Sequence, residues 1–297
     1  MGQILSEPVV DKTTHKDKNN NLMYAVSAMQ GWRLTMEDAH ATVLDLDDAG
    51  SSFFGVYDGH GGASIAQYTG QNLHRKVQES SYFGQKKYHE NYCGDPSGCT
   101  AVTALLTPEN KIYVANAGDS RSVISVKGKA IALSEDHKPD NGPELQRIIA
   151  AGGFVKLGRV NGNLALSRAI GDFEFKQSKH LPAERQIVTC EPDITERCIT
   201  GNDEFLVLAC DVVDVIREEI AKRTPLDEIC EIIIELCLAP ESETGGVGCD
   251  NMSIMIVAIL HGKTEEEWYD WMVSRASAAK KTDALGNTTS SDSEKES

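Results

Sequence analysis

A chain of 297 residues with an ordinary apolar fraction of 40% can form one large domain or two small ones around a sizeable core. Its formal net charge of −16 argues against a nucleic-acid partner, because phosphate backbones demand a basic face. No apolar stretch approaches the roughly 20 residues of a membrane span, and no secretory leader is expected.

The chain opens on Met1-Gly2-Gln3-Ile4-Leu5-Ser6, which fits the M-G-x-x-x-[ST] pattern for N-myristoylation at Gly2. A single acyl chain would give only weak, reversible membrane contact. The polar stretch within residues 1–21 is expected to be a flexible lead-in. A strand-rich half follows, with predicted strands at 23–29, 41–46, 53–57, 100–106, 111–117, 121–126 and 130–134. Short turns carrying Gly, Asn and Asp separate several of these, which is the habit of antiparallel sheets.

Helices interrupt the strands. Residues 64–80 place Ile65, Leu73 and Val77 on one face at helical spacing. Residues 143–151 stop at Gly152-Gly153, and Thr224-Pro225-Leu226-Asp227 has the form of a helix start, with Pro at the first helical position. Leu226, Ile229, Ile233 and Leu236 form the stripe of that helix, read as core. A C-terminal helix is expected over 263–281 around Trp268, Tyr269, Trp271 and Met272, then a disordered acidic, Ser-rich tail over 282–297. The eight cysteines contain no C-x-x-C pair, so reduced thiols in the cytoplasm or nucleus are expected.

Several apolar runs meet a carboxylate at one end. Phe53-Phe54-Gly55-Val56-Tyr57 leads into Asp58-Gly59-His60-Gly61-Gly62, residues 205–210 run into Asp211, and Asp250-Asn251 opens the run 252–260. Residues 113–117 lead through Gly118 to Asp119, and Glu37-Asp38 precede the strand at 41–46. Clustered carboxylates repel strongly unless cations lie between them, and oxygen ligands without paired thiols suit Mg²⁺ or Mn²⁺. His60 adds a group able to donate or accept a proton near neutral pH.

The motifs, in order, resemble those of the metal-dependent type 2C Ser/Thr protein phosphatases, in their fungal form. They are G-W-R-x-x-M-E-D-A-H at 31–40, V-Y-D-G-H-G-G at 56–62, S-G-C-T-A at 97–101 and A-N-A-G-D-S-R at 115–121. D-H-K-P at 136–139, A-G-G at 151–153, L-A-L-S-R-A-I-G-D at 164–172, E-P-D at 191–193 and G-C-D-N-M-S at 248–253 complete the series.

The resemblance implies an α+β fold: an α/β/β/α sandwich of two antiparallel sheets flanked by helices, with the metal site in the cleft at one end. It implies a phosphatase domain over 22–262 that hydrolyses phosphoserine and phosphothreonine in protein substrates as a monomer. The attacking water would bridge two Mn²⁺ or Mg²⁺ ions. Asp58 would bridge these ions, Glu37 and the Gly59 carbonyl holding one, Asp211 and Asp250 the other; Asp119 would serve a weaker third ion that shares Asp211. Arg33 would bind the substrate phosphate, His60 would protonate the leaving oxygen and Asp38 would orient the water. Paired divalent ions, a planar guanidinium and a general acid are what in-line displacement of an alkoxide needs.

Other readings of these residues fare less well. Arg33 could pair with Glu37 one helical turn on, and His40, His137 and His180 read as structural or surface groups. Asp172 and Asp193 read as turn residues outside the metal set. No cysteine is followed six positions later by Arg, as a cysteine-dependent phosphatase requires, and Val257 stands where a P-loop needs Gly. Two departures from the family pattern favour a rival of another class, an inactive phosphoprotein-binding scaffold arising from a splice or gene-model variant. The long helix usual before Gly94 is reduced to Glu90-Asn91-Tyr92-Cys93, and Asp211 runs directly into a helical pattern at Val212.

Overall fold

The computed structural model describes residues 4–79, 95–209, 213–242 and 248–288. In chain order its first half comprises β1 (Ile4–Lys18), β2 (Leu22–Arg33), β3 (Ala39–Val43), β4 (Ser52–Tyr57), β5 (Gly59–His60), α1 (Ser64–Glu79), β6 (Gly98–Cys99), β7 (Ala101–Thr107), β8 (Lys111–Ala117), β9 (Arg121–Val126) and β10 (Lys129–Ala132). Then come α2 (Gly142–Ala150), β11 (Val155–Lys156), β12 (Arg159–Val160), β13 (Ile170–Gly171), β14 (Asp193–Cys198), β15 (Asp203–Ala209), α3 (Val213–Ala221), α4 (Leu226–Cys237), β16 (Met252–Ile259) and α5 (Glu265–Thr288).

Two antiparallel sheets carry the architecture. Among the described residues one runs β1-β2-β16-β15-β9-β10 and the other β14-β8-β7-β4-β3. Their central strands are apolar along their length because both faces are covered. Between the sheets lie Val26, Phe54, Val102, Ile124, Leu206 and Met255. The outer face of the first sheet packs Ala25, Phe205, Val207 and Ile256 against Ile216, Ile229, Ile233 and Trp268 of α3, α4 and α5. The outer face of the second packs Phe53 and Tyr57 against Ile65 and Ala66 of α1. Each such side chain contributes about 1.5–3 kcal/mol on burial, so the three layers of contact specify the α/β/β/α order.

Three expectations change. The lead-in over 1–21 is largely a strand, β1, paired with β2 from Ile4↔Arg33 to Lys18↔Met23. Its sequence carries no apolar alternation, so its stability comes from elsewhere. Lys12, Thr14 and Lys16 reach Glu235, Glu231 and Asp227 of α4, each at 2.7 Å, and Lys18 reaches Glu265 at 2.5 Å. Two strand residues rise about 6.8 Å and one helical turn about 5.4 Å, so alternate strand positions meet successive turns. The C-terminal helix continues to Thr288, past the expected end at 281. The added residues, 282–288, include Ala284 and Leu285, strong helix formers that a reading by polarity alone takes for tail. Finally, α4 begins at Leu226 with Pro225 as its cap, and the Thr224 hydroxyl bonds Glu219 at 3.1 Å instead of capping the helix.

The expected missing helix near 90–94 and the shortened junction after 211 lie outside the described residues. On either side of the junction, β15 ends at Ala209 and α3 begins at Val213.

Residues 142–188 fold around a small core of Ile148, Val160, Leu166, Phe175 and Val188. A buried ion network joins this lobe to the second sheet. Glu144, 3% exposed, accepts from Arg147 at 2.6 Å, Ser167 at 2.6 Å and Arg168 at 2.7 Å, and Arg168 also donates to Asp193 on β14 at 2.7 Å. Burial opposes ionisation of Glu144, but these donors prevail and hold its carboxyl down at about 2. Glu144→Gln should therefore cost roughly 3–5 kcal/mol at neutral pH, since it removes the negative charge that two largely buried guanidinium groups share. Because the folded-state value is depressed, the deficit should shrink as pH falls from 4.5 toward about 2. Urea unfolding of both proteins at pH 7 and pH 3 measures it.

Candidate metal centre

Strand ends from both sheets deliver the carboxylates to one edge of the sandwich. β2 ends before Glu37-Asp38, β4 before Asp58, β8 before Asp119, and β16 begins after Asp250. The loop after β2 is folded by Asn251. Its amide donates to the Gln30 and Thr35 carbonyls at 2.8 and 3.0 Å, and its oxygen accepts from the Glu37 backbone N–H at 2.9 Å. Glu37 is then held at both oxygens, by the Thr35 hydroxyl at 2.8 Å and the Gly62 N–H at 3.2 Å. Gly59 lies against the Glu37 carbonyl so closely that any Cβ there would collide with it.

Asp38 accepts from the Ser253 hydroxyl at 2.8 Å. Burial raises its carboxyl to about 6 against that hydrogen bond, with the Asp250 charge adding to the rise. Asp58 is exposed to solvent at the end of β4, with other carboxylates close by. Desolvation, then the charges of Asp38, Asp250 and Asp119, push it well above the ordinary carboxylate range, with Arg33 acting in the opposite sense. Four carboxylates thus feel one another at one place. Two cations are already among them: Arg33 Nη2 donates to Asp250 Oδ2 at 2.5 Å, and Lys138 donates to Asp119.

The donor set is oxygen throughout and carries uncompensated negative charge, which fits hard divalent cations. Among the described residues no three of these groups close into a ready-made ligand cage. Asp211, expected to complete it, lies outside the described residues. A cavity of about 450 Å³ opens beside Asp38, lined by Gln30, Met36, His40, Gln67 and Gln71 among others.

Comparison with known proteins identifies the family. The sequence profile of the family described as protein phosphatase 2C matches residues 22–246. A protein phosphatase 2C homolog 2 from Hypocrea jecorina is 50% identical over 311 residues, covering 93% of this chain and 71% of the relative. One from Schizosaccharomyces pombe is 47% identical over 310 residues, covering 94% of this chain and 84% of the relative. The chain belongs to the protein phosphatase 2C family. It is accordingly a protein serine/threonine phosphatase of the metal-dependent kind. A phosphatase structure from Toxoplasma gondii matches with a TM-score of 0.72 at 23% identity, covering 86% of this chain and 97% of that one, and so shares the fold. Both sequence alignments are longer than the 297-residue chain, so these phosphatase 2C relatives carry residues for which it has no counterpart.

Of the residues expected from the sequence, the structure brings Arg33, Glu37, Asp38, Asp58, Gly59, His60, Asp119 and Asp250 to one edge of the sandwich. Arg33 pairs with Asp250, not with Glu37. His137 is buried, accepts the Gly118 N–H at 3.1 Å through Nδ1 and meets Asp193 at 3.0 Å through Nε2, so it fixes the turn that carries Asp119. His40 stands beside the His15 ring, and burial followed by the His15 charge lowers its pKa. Sequence reasoning missed four supporting groups, Asn251, Ser253, Lys138 and Asp172. The first three adjoin motif carboxylates or lie in motifs, but their partners lie far along the chain.

Carboxyls with raised pKa hold protons that a divalent cation must displace. Titrating the metal-free protein with Mn²⁺ at pH 6 should release protons, and Asp58→Asn should reduce their number. Calorimetry in buffers of different ionisation enthalpy measures the count.

Proposed function

We propose that this phosphatase hydrolyses phosphoserine and phosphothreonine in proteins by direct attack of water at phosphorus, at a centre of two Mg²⁺ or Mn²⁺ ions with a weaker third. The observation that carries this reading is the mutual repulsion among Asp58, Asp38, Asp250 and Asp119, which bound divalent cations would relieve. Glu37, Asp58 and the Gly59 carbonyl would hold one ion, Asp58, Asp211 and Asp250 the other, and Asp119 with Asp211 the third. When bound, the ions neutralise phosphate charge and lower the pKa of water.

The chain's own groups then divide the work. Arg33 exchanges its pairing with Asp250 for the substrate phosphate, to which a guanidinium offers two parallel donors. Asp38, fixed by Ser253, accepts a hydrogen bond from the attacking water and so aims its lone pair. His60 donates a proton to the departing seryl or threonyl oxygen, because an alkoxide leaves poorly unprotonated. The products are inorganic phosphate and the free hydroxyl. Thiol chemistry is disfavoured: burial pushes the Cys99 thiol up to about 12, far from a nucleophilic thiolate. The reduced, buried Cys99 and Cys230 support a cytoplasmic or nuclear location.

Asp58→Ala and Asp250→Ala should each abolish manganese-dependent release of phosphate from a phosphothreonine peptide, while Cys99→Ser keeps most of it. Peptide binding without turnover by the unaltered chain would favour the scaffold reading instead.

A weak membrane contact through an acylated Gly2 is also proposed. The opening Met1-Gly2-Gln3-Ile4-Leu5-Ser6 fits the acceptor pattern for that acylation. Acylated protein should co-sediment with neutral lipid vesicles weakly, and the Gly2→Ala variant should not.

A further inference from the structure

The reaction assigned to His60 needs one ring nitrogen aimed at the leaving oxygen, and a contact on the far side of the ring bears on that. His60 Nε2 lies 2.8 Å from Asp172 Oδ2, and Asp172 is 4% exposed. No other hydrogen bond holds the His60 ring among the described residues.

The contact is built by a small sheet. The middle strand β6 pairs on one side with β5, placing His60 opposite Gly98, and on the other with β13, placing Gly171 opposite Gly98. His60 and Asp172 therefore reach each other across the Cα of Gly98. A Cβ at that position would lie 2.7 Å from His60 Nε2 and collide with the Asp172 carboxylate. Only glycine leaves the passage open.

Asp172 is itself held with care. Its backbone is left-handed, at φ 49° and ψ 45°, a conformation Asp and Asn tolerate better than other side-chain-bearing residues. Its N–H donates to the Ser97 carbonyl at 3.2 Å, and its carbonyl accepts from Phe175 at 3.0 Å. Lys176 braces the approach, donating to the carbonyls of Ala169 and Gly171 at 2.7 and 2.5 Å. A buried carboxylate with a sparsely populated backbone, aimed at one ring nitrogen beside the reaction centre, is an investment that packing alone does not explain.

We infer that Asp172 is the positioning residue for His60: its carboxylate accepts the Nε2 proton, fixes the plane of the ring, and leaves Nδ1 as the nitrogen that serves the leaving oxygen. This rests on the proton-donor role proposed for His60 above. Asp172 touches neither substrate nor metal and acts only through the imidazole. The same device orients metal-bound and catalytic histidines elsewhere, where a carboxylate on one nitrogen sets the task of the other.

The test uses leaving-group dependence. Asp172→Asn keeps the volume and the tolerance of a left-handed backbone, but its amide can present a donor to Nε2 and select the wrong tautomer. In the manganese-loaded enzyme its kcat on a phosphothreonine peptide should fall at least about tenfold, within the ~10²–10⁴-fold that a general acid supplies. On p-nitrophenyl phosphate, whose leaving group needs no proton, it should stay within about threefold of the unaltered enzyme. In a His60→Ala background the substitution should add nothing on either substrate. In the metal-free protein, ¹⁵N spectra should show the His60 proton on Nε2, and Asp172→Asn should redistribute it. Equal losses on both substrates, or a full further loss in the His60→Ala background, overturn the role of Asp172. If His60→Ala itself slows both substrates equally, the proton-donor assignment falls instead, and the spectra alone decide whether Asp172 orients the ring.

Discussion

Like charges brought together at one edge of the sandwich are the constraint on which the rest of this structure depends. Asp38, Asp58, Asp119 and Asp250 come from separate strand ends, and the other three raise the cost of ionising Asp58. Loops alone would splay such a group apart. Here the carriers are anchored in paired strands: β4 between β3 and β7, β8 between β14 and β7, β16 between β2 and β15. Close-packed cores on both sides of each sheet deny those strands the freedom to separate. The repulsion is thus stored in a scaffold stiff enough to bear it, and that stored repulsion is what makes the site receptive to divalent cations.

A second tier of contacts sets the direction of each carboxylate. Asn251 folds the loop that carries Glu37, Ser253 holds Asp38, and His137 fixes the turn before Asp119. His137 in turn leans on Asp193, which Arg168 ties to buried Glu144 in the 142–188 lobe. The lobe and the site therefore share one chain of hydrogen bonds and ion pairs. A shift of α2, which carries Glu144, has a physical route to Asp119 through charged groups that tolerate little displacement.

What was legible in the sequence follows from how local each signal is. The carboxylates ending apolar runs were readable because strand and ligand are adjacent in the chain, as in Val56-Tyr57-Asp58. The two-sheet architecture came with the resemblance carried by the motifs, and the central strands could be placed because burial on both faces makes them continuously apolar. β1 could not be read, since its support is a row of two ion pairs and a hydrogen bond to α4, more than 200 residues away, and not a local apolar period. The extension of α5 was hidden by composition, because its helix formers Ala284 and Leu285 stand among Thr, Asp, Gly and Asn, residues common in tails. Asp172 was dismissed as a turn residue, and locally it is one: its backbone is left-handed and opens a short helical turn. Its partner is 112 positions away.

Glycines show the same division between local and long-range meaning. Gly59 and Gly98 stand in the motifs D-G-H-G-G and S-G-C-T-A, and each is part of a paired strand. Their common property is the absence of a side chain where another chain segment must pass. At Gly59 the neighbour is the Glu37 carbonyl, and at Gly98 it is the His60–Asp172 contact. Removing a Cβ costs backbone entropy on folding, about 0.5–1 kcal/mol relative to Ala in a regular element. That cost is accepted at two positions on adjoining strands, both within reach of the carboxylate cluster. A Cβ at either position would occupy that space, so the two glycines let the Glu37 loop close on β5 and the His60–Asp172 hydrogen bond pass over β6.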